Sequence, residues 1–417
     1  MKNIILLFLL SLFVYGCGSG NSSSRSNTLT LWMPPYGTED TLDKNFWEEL
    51  VKPFEEENNV KINVEIISWA NYEEKYLTGV SSGRGPDVGY MYNEMIADFL
   101  DLGAIYPIDE YLTEADKTNY LYLEDAKING ELYGLPIVVG NARIIVYNKT
   151  LLDKEGVKPP VTWQDFIDAN VKLTKDTNGD GVIDQFGTIM IMGGGHFGNM
   201  NGYLTPFLWQ AGGDFFTEDG KIAFDSPEAL KTIQFLYDLK FKYKVLHQST
   251  MSIVGNGELF DVFNKGNVAF ATTETRSTSQ FLNNVDFEWG FIVSLKDKQQ
   301  KTFTAMDQLV LMSKDKKDLS YKLMHYLTSA ASMEKFHTDL AKFPPISKEE
   351  KYLDDPLYQE LYTTQIDILK TLPKVKGATV VFDALTKNIQ SMMLGEKTPE
   401  QVIKESAEYG RQVLENN

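Results

Sequence analysis

The sequence predicts an α/β protein built as two lobes, and three observations carry that prediction. The chain has 417 residues, two or three times the length over which a single hydrophobic core usually extends. From residue 28 to residue 91 short strand patterns alternate with helix-periodic ones, as a parallel sheet with helical crossovers requires. A further strand with helices of its own stands in the middle of the chain. Hydrophobic residues at 43% and charged residues at 24% fit a globular protein. The formal net charge of −18 makes nucleic acid and anionic membrane surfaces poor partners for the folded part, and it also serves solubility.

The chain opens on an export pattern. Lys2 precedes an apolar run from Ile4 to Leu10 that resumes through Val14, too short to span a bilayer. Residues 1–16 read as a signal peptide, and Val14-Tyr15-Gly16-Cys17 resembles a bacterial lipobox, with Tyr15 where a small residue is usual. Cys17, the only cysteine, is expected to carry the lipid, so the exported part has neither disulfide nor thiol nucleophile. Acyl chains there would hold the protein on a bacterial membrane, on its periplasmic or outer side. Residues 17–27 form the lipidated tether, which is Gly/Ser-rich and expected to be flexible.

The elements follow in order. Thr28 to Trp32 alternates as a strand and stops at Pro34-Pro35. Phe46, Leu50 and Phe54 mark one helix face, with Trp47 and Val51 beside it, and Asn58-Asn59 ends the helix. Lys61 to Ile67 is a second strand. Tyr72 to Ser82 is a helix closed by Gly83 and Gly85-Pro86, and Val88 to Met91 is a third strand. Ile144 to Tyr147 is the middle strand. Thr162 caps a helix running to Thr174, and Ser226 caps another over Pro227 to Tyr243. From Pro356 onward the pattern is mainly helical. Ligands of such sheets bind at the carboxyl ends of the strands, which puts Trp32, Tyr36, Trp69, Tyr92 and Asn93 near one rim, or else leaves them as core.

Several stretches carry a family resemblance. Ser82-Gly83-Arg84-Gly85-Pro86-Asp87-Val88, Leu102 to Asp109, Asn129 to Pro136, and Val146-Tyr147-Asn148-Lys149 come first. Pro159-Pro160-Val161-Thr162-Trp163, Trp209-Gln210-Ala211-Gly212-Gly213 and Phe263 to Phe270 follow in the same order. Together they resemble the family 1 extracellular solute-binding proteins, the carbohydrate-importer group that includes maltose-binding protein. The resemblance implies the two-lobed type II periplasmic-binding-protein fold, each lobe a central, mostly parallel sheet flanked by helices. It places the first lobe at 28–139 and 303–343 and the second at 140–302 and 344–417. The crossings fall near Pro136–Arg143, Thr302–Asp307 and Phe343–Pro345. It also implies a monomer that needs no cofactor, captures a sugar by hinge closure and delivers it to permease and ATPase subunits of an ABC importer.

Carried over position by position, the resemblance nominates Tyr36 after the first strand, Tyr92, Asn93 and Glu94 after the third, and Trp209. It adds Asp307 at the second hinge and Phe382 where a stacking aromatic is expected. Asn141 stands where the family has an acidic hinge residue, with Arg143 beside it. Glu274 and Arg276 occupy the family's "G-W" position, so an arginine replaces a stacking tryptophan. Two cleft arginines suit an acidic sugar or a phosphate; the alternative is that both pair with Glu274.

Asp176, Asn178, Asp180, the Val182 carbonyl and Asp184 have the spacing of an EF-hand calcium loop, with Gly181 at its sixth position. Gly187 stands where the closing glutamate belongs. The expectation is a structural calcium site, the alternative an Asx-rich turn. An enzyme is disfavoured, since H-E-x-x-H does not occur and the four histidines are scattered. Gly193-Gly194-Gly195 lacks the lysine of a phosphate loop. A sensor or adhesin would share the fold, and a polyamine is permitted by the acidic surface but opposed by the arginines.

Overall fold

The computed structural model describes residues 27–37, 40–195, 197–351, 361 and 366–416. The signal peptide, Cys17 and residues 18–26 of the tether lie outside the described residues, as does His196.

In the first half the strands are β1 (Thr28–Met33), β2 (Lys61–Ile66), β3 (Val88–Met91), the short hairpin β4 (Lys127–Ile128) and β5 (Glu131–Leu132), and β6 (Gly134–Gly140). In the second they are β7 (Arg143–Asn148), β8 (Phe186–Ile189), β9 (Val268–Glu274), β10 (Trp289–Ile292), β11 (Thr302–Phe303), β12 (Ala305–Leu311) and β13 (Leu369–Lys370). One sheet runs β2-β1-β3-β12-β6 and another β10-β7-β9-β8. In the first, β1 pairs parallel with β2 and β3, and only β12 is reversed. In the second only β7 is reversed, pairing antiparallel with both β9 and β10. Each sheet therefore has one strand that runs against the others, and each reversed strand directly follows a crossing between lobes.

Local chemistry explains the elements. On β1, Leu29, Leu31 and Met33 are fully buried, and the helix Asp40–Asn58 covers the sheet with Trp47, Leu50, Val51 and Phe54. Asn59 ends that helix at φ 48°, a conformation Asn tolerates. Asp87 explains its motif: its carboxylate accepts from the Thr30 N–H at 2.9 Å and from Lys316 at 3.3 Å, tying β3 to its neighbours. In the second lobe, Thr162 and Asp165 form a reciprocal capping box on the helix Trp163–Leu173. Ser226 caps the helix Pro227–Phe241. Helices Ala378–Met393 and Pro399–Asn416 complete the C-terminal part.

The first crossing is the step from β6 to β7, turning through Gly140 at φ 83° and Asn141 at φ 49°. The second brings the chain from β10 through β11 to β12. There the Thr302 and Thr304 hydroxyls donate to the Arg143 and Gly140 carbonyls at 2.5 and 2.9 Å, lashing both crossings together. The third departs from the expected place at 343–345. The Leu121 N–H donates to the Ile346 carbonyl and the Lys348 N–H to the Asn119 carbonyl, so the chain still belongs to the first lobe at Lys348. It has reached the second crossing by Leu369, which pairs with Thr302.

Candidate functional site

A cleft of about 720 Å³ opens between the two sheets, within the range of about 300–1,000 Å³ typical of small-molecule sites. It lies at the carboxyl ends of β1, β3, β6 and β9, where the chain turns away and leaves side chains and backbone unpaired.

The first-lobe wall is aromatic. Buried Asp43 accepts from the N–H groups of Tyr36 at 2.6 Å and Gly37 at 3.0 Å, fixing the loop after β1. Trp69 donates its indole N–H to the Pro35 carbonyl at 3.1 Å and leans on Tyr72 at 5.0 Å between ring centres. Its ring is only partly buried and lines the cleft. Tyr36 donates to the Tyr90 hydroxyl at 2.5 Å, and Tyr90 donates to Asp307. Tyr92 donates to Glu73.

The hinge end is ionic. Glu274, at the end of β9, is buried and accepts from four donors: Arg143 at 2.8 Å, Arg276 at 3.2 Å, Asn141 at 3.1 Å and Ser277 at 2.5 Å. Burial alone would raise its pKa, but the guanidinium groups of Arg276 and Arg143 hold it below the usual glutamate value. Both arginines thus pair with Glu274, the alternative weighed against anion recognition. Arg276 also donates to the Tyr36 carbonyl at 2.7 Å, and the Arg143 guanidinium lies 5.2 Å from the Phe303 ring centre.

Two carboxylates on the first-lobe side shift the opposite way from Glu274. Burial raises Asp307 to about 8, against its hydrogen bond from Tyr90 and with a further push from Glu94. Burial also raises Glu94 to about 7, opposed by the charge of Arg143. Glu73, behind Tyr92, is raised by burial to about 7. Near neutral pH these groups carry a proton for much of the time, so the cleft is far less acidic than its composition suggests.

Of the nominated residues, Tyr36, Trp69, Tyr92, Glu94, Asn141 and Arg143 line the cleft, together with Glu274, Arg276 and Asp307. The other four do not. Trp32 is 2% exposed and meets Tyr76 edge-on at 5.0 Å, because its place on β1 turns it under the helix Tyr72–Ser81. Asn93 starts the helix Asn93–Asp101 and donates inward to the Leu372 carbonyl at 3.2 Å. Trp209 is fully buried, since every residue of the helix Thr205–Gln210 is buried, and its indole donates to Asp214 at 3.0 Å. Phe382 is buried against Phe215 at 5.1 Å and Phe216 at 5.6 Å.

Sequence reading missed Tyr90, Phe303 and Thr272, and a second-lobe wall made of Gly194, Gly195, residues 198–202 and residues 254–257. The carboxyl-end rule, applied to β8 as it was to β1 to β3, points to the part of this wall that follows Ile189.

In the calcium-like loop, Asp176 accepts from the N–H groups of Asn178, Gly179 and Gly181 at 2.7–3.1 Å. Asn178 accepts from Asp180, Asp180 from Val182, and Asp184 from Thr177. Among the described residues no group of three or more His, Cys, Asp or Glu is gathered to hold a metal. The side chains serve an Asx-rich turn between the helix Trp163–Leu173 and β8.

Comparison with known proteins places this geometry in context. The family model described as bacterial extracellular solute-binding protein matches residues 38–334. A putative binding protein of Brucella abortus is 24% identical over 388 residues, covering 88% of this chain and 90% of its own. An arabinooligosaccharide-binding protein of Bacillus subtilis is 26% identical over 251 residues, 57% of this chain and 53% of its own. A solved ABC transporter solute-binding protein from Thermotoga lettingae, bound with α-D-tagatose, has a TM-score of 0.78 at 26% identity. That alignment covers 93% of this chain and 99% of the other.

Proposed function

Because the chain belongs to the family of bacterial extracellular solute-binding proteins, we propose that it captures a neutral sugar or oligosaccharide outside the cytoplasm and delivers it to an ABC importer. One observation carries the choice of ligand. The cleft offers a partly exposed Trp69 face beside polar groups, while both arginines are already engaged by Glu274. A sugar presents apolar ring carbons to such a face and hydroxyls to carboxylates and amides. An anion would have to compete with Glu274 for the arginines, and a polyamine would meet the net positive charge of two arginines against one glutamate. The relatives that bind an arabinooligosaccharide and tagatose support the same reading.

Closure supplies the mechanism. Each lobe contributes half of the site, so a solute touching both stabilises the closed arrangement by its differential affinity for that form. The Arg276 bond to the Tyr36 carbonyl crosses the cleft. It stabilises the closed form only modestly, by roughly 0.5–3 kcal/mol. Anchoring through lipid on Cys17 after signal removal would hold the protein beside its permease.

The test is a thermal-shift screen of purified protein against mono- and oligosaccharides, uronic acids, sugar phosphates and polyamines. Stabilisation by one or a few neutral sugars is expected. Stabilisation by sugar phosphates or polyamines alone contradicts the reading.

A further inference from the structure

Of three glycines on the second-lobe wall, Gly255 caps a helix, whereas Gly202 and Gly257 have no structural reason to be glycine. A Cβ built on Gly202, Gly255 or Gly257 meets nothing within 4 Å, and none of the three has a positive φ. By contrast, a Cβ on Gly193 would strike the Ile253 carbonyl at 2.6 Å. Gly202 lies in the helix Met200–Tyr203 and Gly257 in the helix Asn256–Phe263, where glycine is worse than alanine. All three line the cleft. What their missing side chains provide is open space in the site.

The wall is held firmly. Gly193 donates its N–H to the Ile253 carbonyl at 2.8 Å, and Asn199 donates to the Gly193 and Val254 carbonyls at 3.4 and 3.3 Å. Thr273 donates to Asn256 at 3.0 Å. Next to Thr273, the Thr272 hydroxyl lines the cleft on a residue only 3% exposed and has no hydrogen-bond partner. Among the described residues of 190–202 and 254–257 there is no charged side chain. A hexose of about twelve heavy atoms, at no more than the roughly 30 Å³ that a water takes in the liquid, needs less than about 360 Å³. The cleft has twice that.

We infer that this glycine-paved wall is a length-selecting subsite that takes the rings of a neutral oligosaccharide beyond the first, with Thr272 as a hydrogen-bonding partner for a ring hydroxyl. The inference deepens the sugar-binding reading and rests on it.

The experiment is calorimetric titration of the protein with glucose, xylose and arabinose and with their linear oligosaccharides of two to four rings. Two net hydrogen bonds gained by a second ring correspond to about a tenfold gain in affinity. At least that gain is expected between one ring and two for the sugar that binds. In Gly202→Leu and Gly257→Leu the ratio of trisaccharide to monosaccharide affinity should fall at least about tenfold. Gly202→Ala and Gly257→Ala, which should melt at or above the wild-type temperature, should lower that ratio in the same direction and serve if the leucine variants do not fold. A monosaccharide bound as tightly as its oligomers, or an unchanged ratio in all four variants, overturns the inference while leaving sugar binding intact. Failure of every sugar to bind overturns the reading beneath it as well.

Discussion

Asp307 and Trp69 show how single residues decide what the cleft recognises. Trp69 keeps one face toward the cleft because its indole N–H is fixed on the Pro35 carbonyl. Burying such a face against a ring is worth about 1.5–3 kcal/mol, so Trp69→Ala should weaken sugar binding by about tenfold to a hundredfold. Calorimetry beside a melting curve checks that the fold survives. Trp209→Ala should behave differently. Trp209 lies in the core, so its removal should cost about 3–5 kcal/mol of stability, seen as a lower denaturant midpoint. Asp307 and Glu94 hold protons in the native state between their ordinary values of 3.8 and 4.5 and their raised values of about 8 and 7. The unfolded chain has lost those protons in that window, so stability falls as pH rises from about 4 to 8. Asp307→Asn keeps an acceptor for Tyr90 and should flatten this slope, with melting at pH 8 no lower than wild type. An unchanged slope contradicts the assignment. The carboxyl-end rule and the resemblance found Asp307, Trp69 and the hinge ionic group. They could not separate Trp209 or Phe382 from the site, because an aromatic in a helix reads the same whether it faces core or cleft.

Among the elements, the hinge turn and the acidic loop show what spacing alone can and cannot convey. Asn141 holds a left-handed conformation and also donates to Glu274. Asn141→Ala should therefore cost about 1–3 kcal/mol from strain alone, whereas Asn141→Gly removes the bond without the strain and should cost less. Equal losses in chemical denaturation would mean that the backbone conformation does not matter. In the loop from Asp176 to Asp184, the spacing of oxygens is shared by a calcium site and by a chain of Asx turns. The hydrogen bonds from Gly179 and Gly181 to Asp176 shape a turn that both uses of the spacing contain. Asp176→Ala strips acceptors from three amides and should lower the melting temperature. If the loop holds calcium, added calcium should raise melting of the wild type but not of this variant. The strands and the capped helices were legible because alternation, Asn59, Thr162 and Ser226 are local signals. The third crossing was not, because pairing of residues 119–121 with 346–348 is a long-range contact that leaves no local mark.

At the scale of the molecule, capture by closure requires two lobes that move about the lashed crossings at Gly140–Arg143 and Thr302–Ala305. The Arg276 bond to the Tyr36 carbonyl is too weak by itself to lock the cleft. Shifting the population from 1% to 99% closed takes about 5.5 kcal/mol of differential affinity, which a micromolar ligand, at about −8.2 kcal/mol in total, can supply. Arg276→Ala removes one bridge and should leave the ligand-free protein more open. Small-angle X-ray scattering of the purified protein, with and without a sugar that raises its melting temperature, tests the central claim most directly. The account predicts a smaller radius of gyration at saturation and no change with a sugar that does not bind. An identical scattering profile with and without saturating ligand would contradict it.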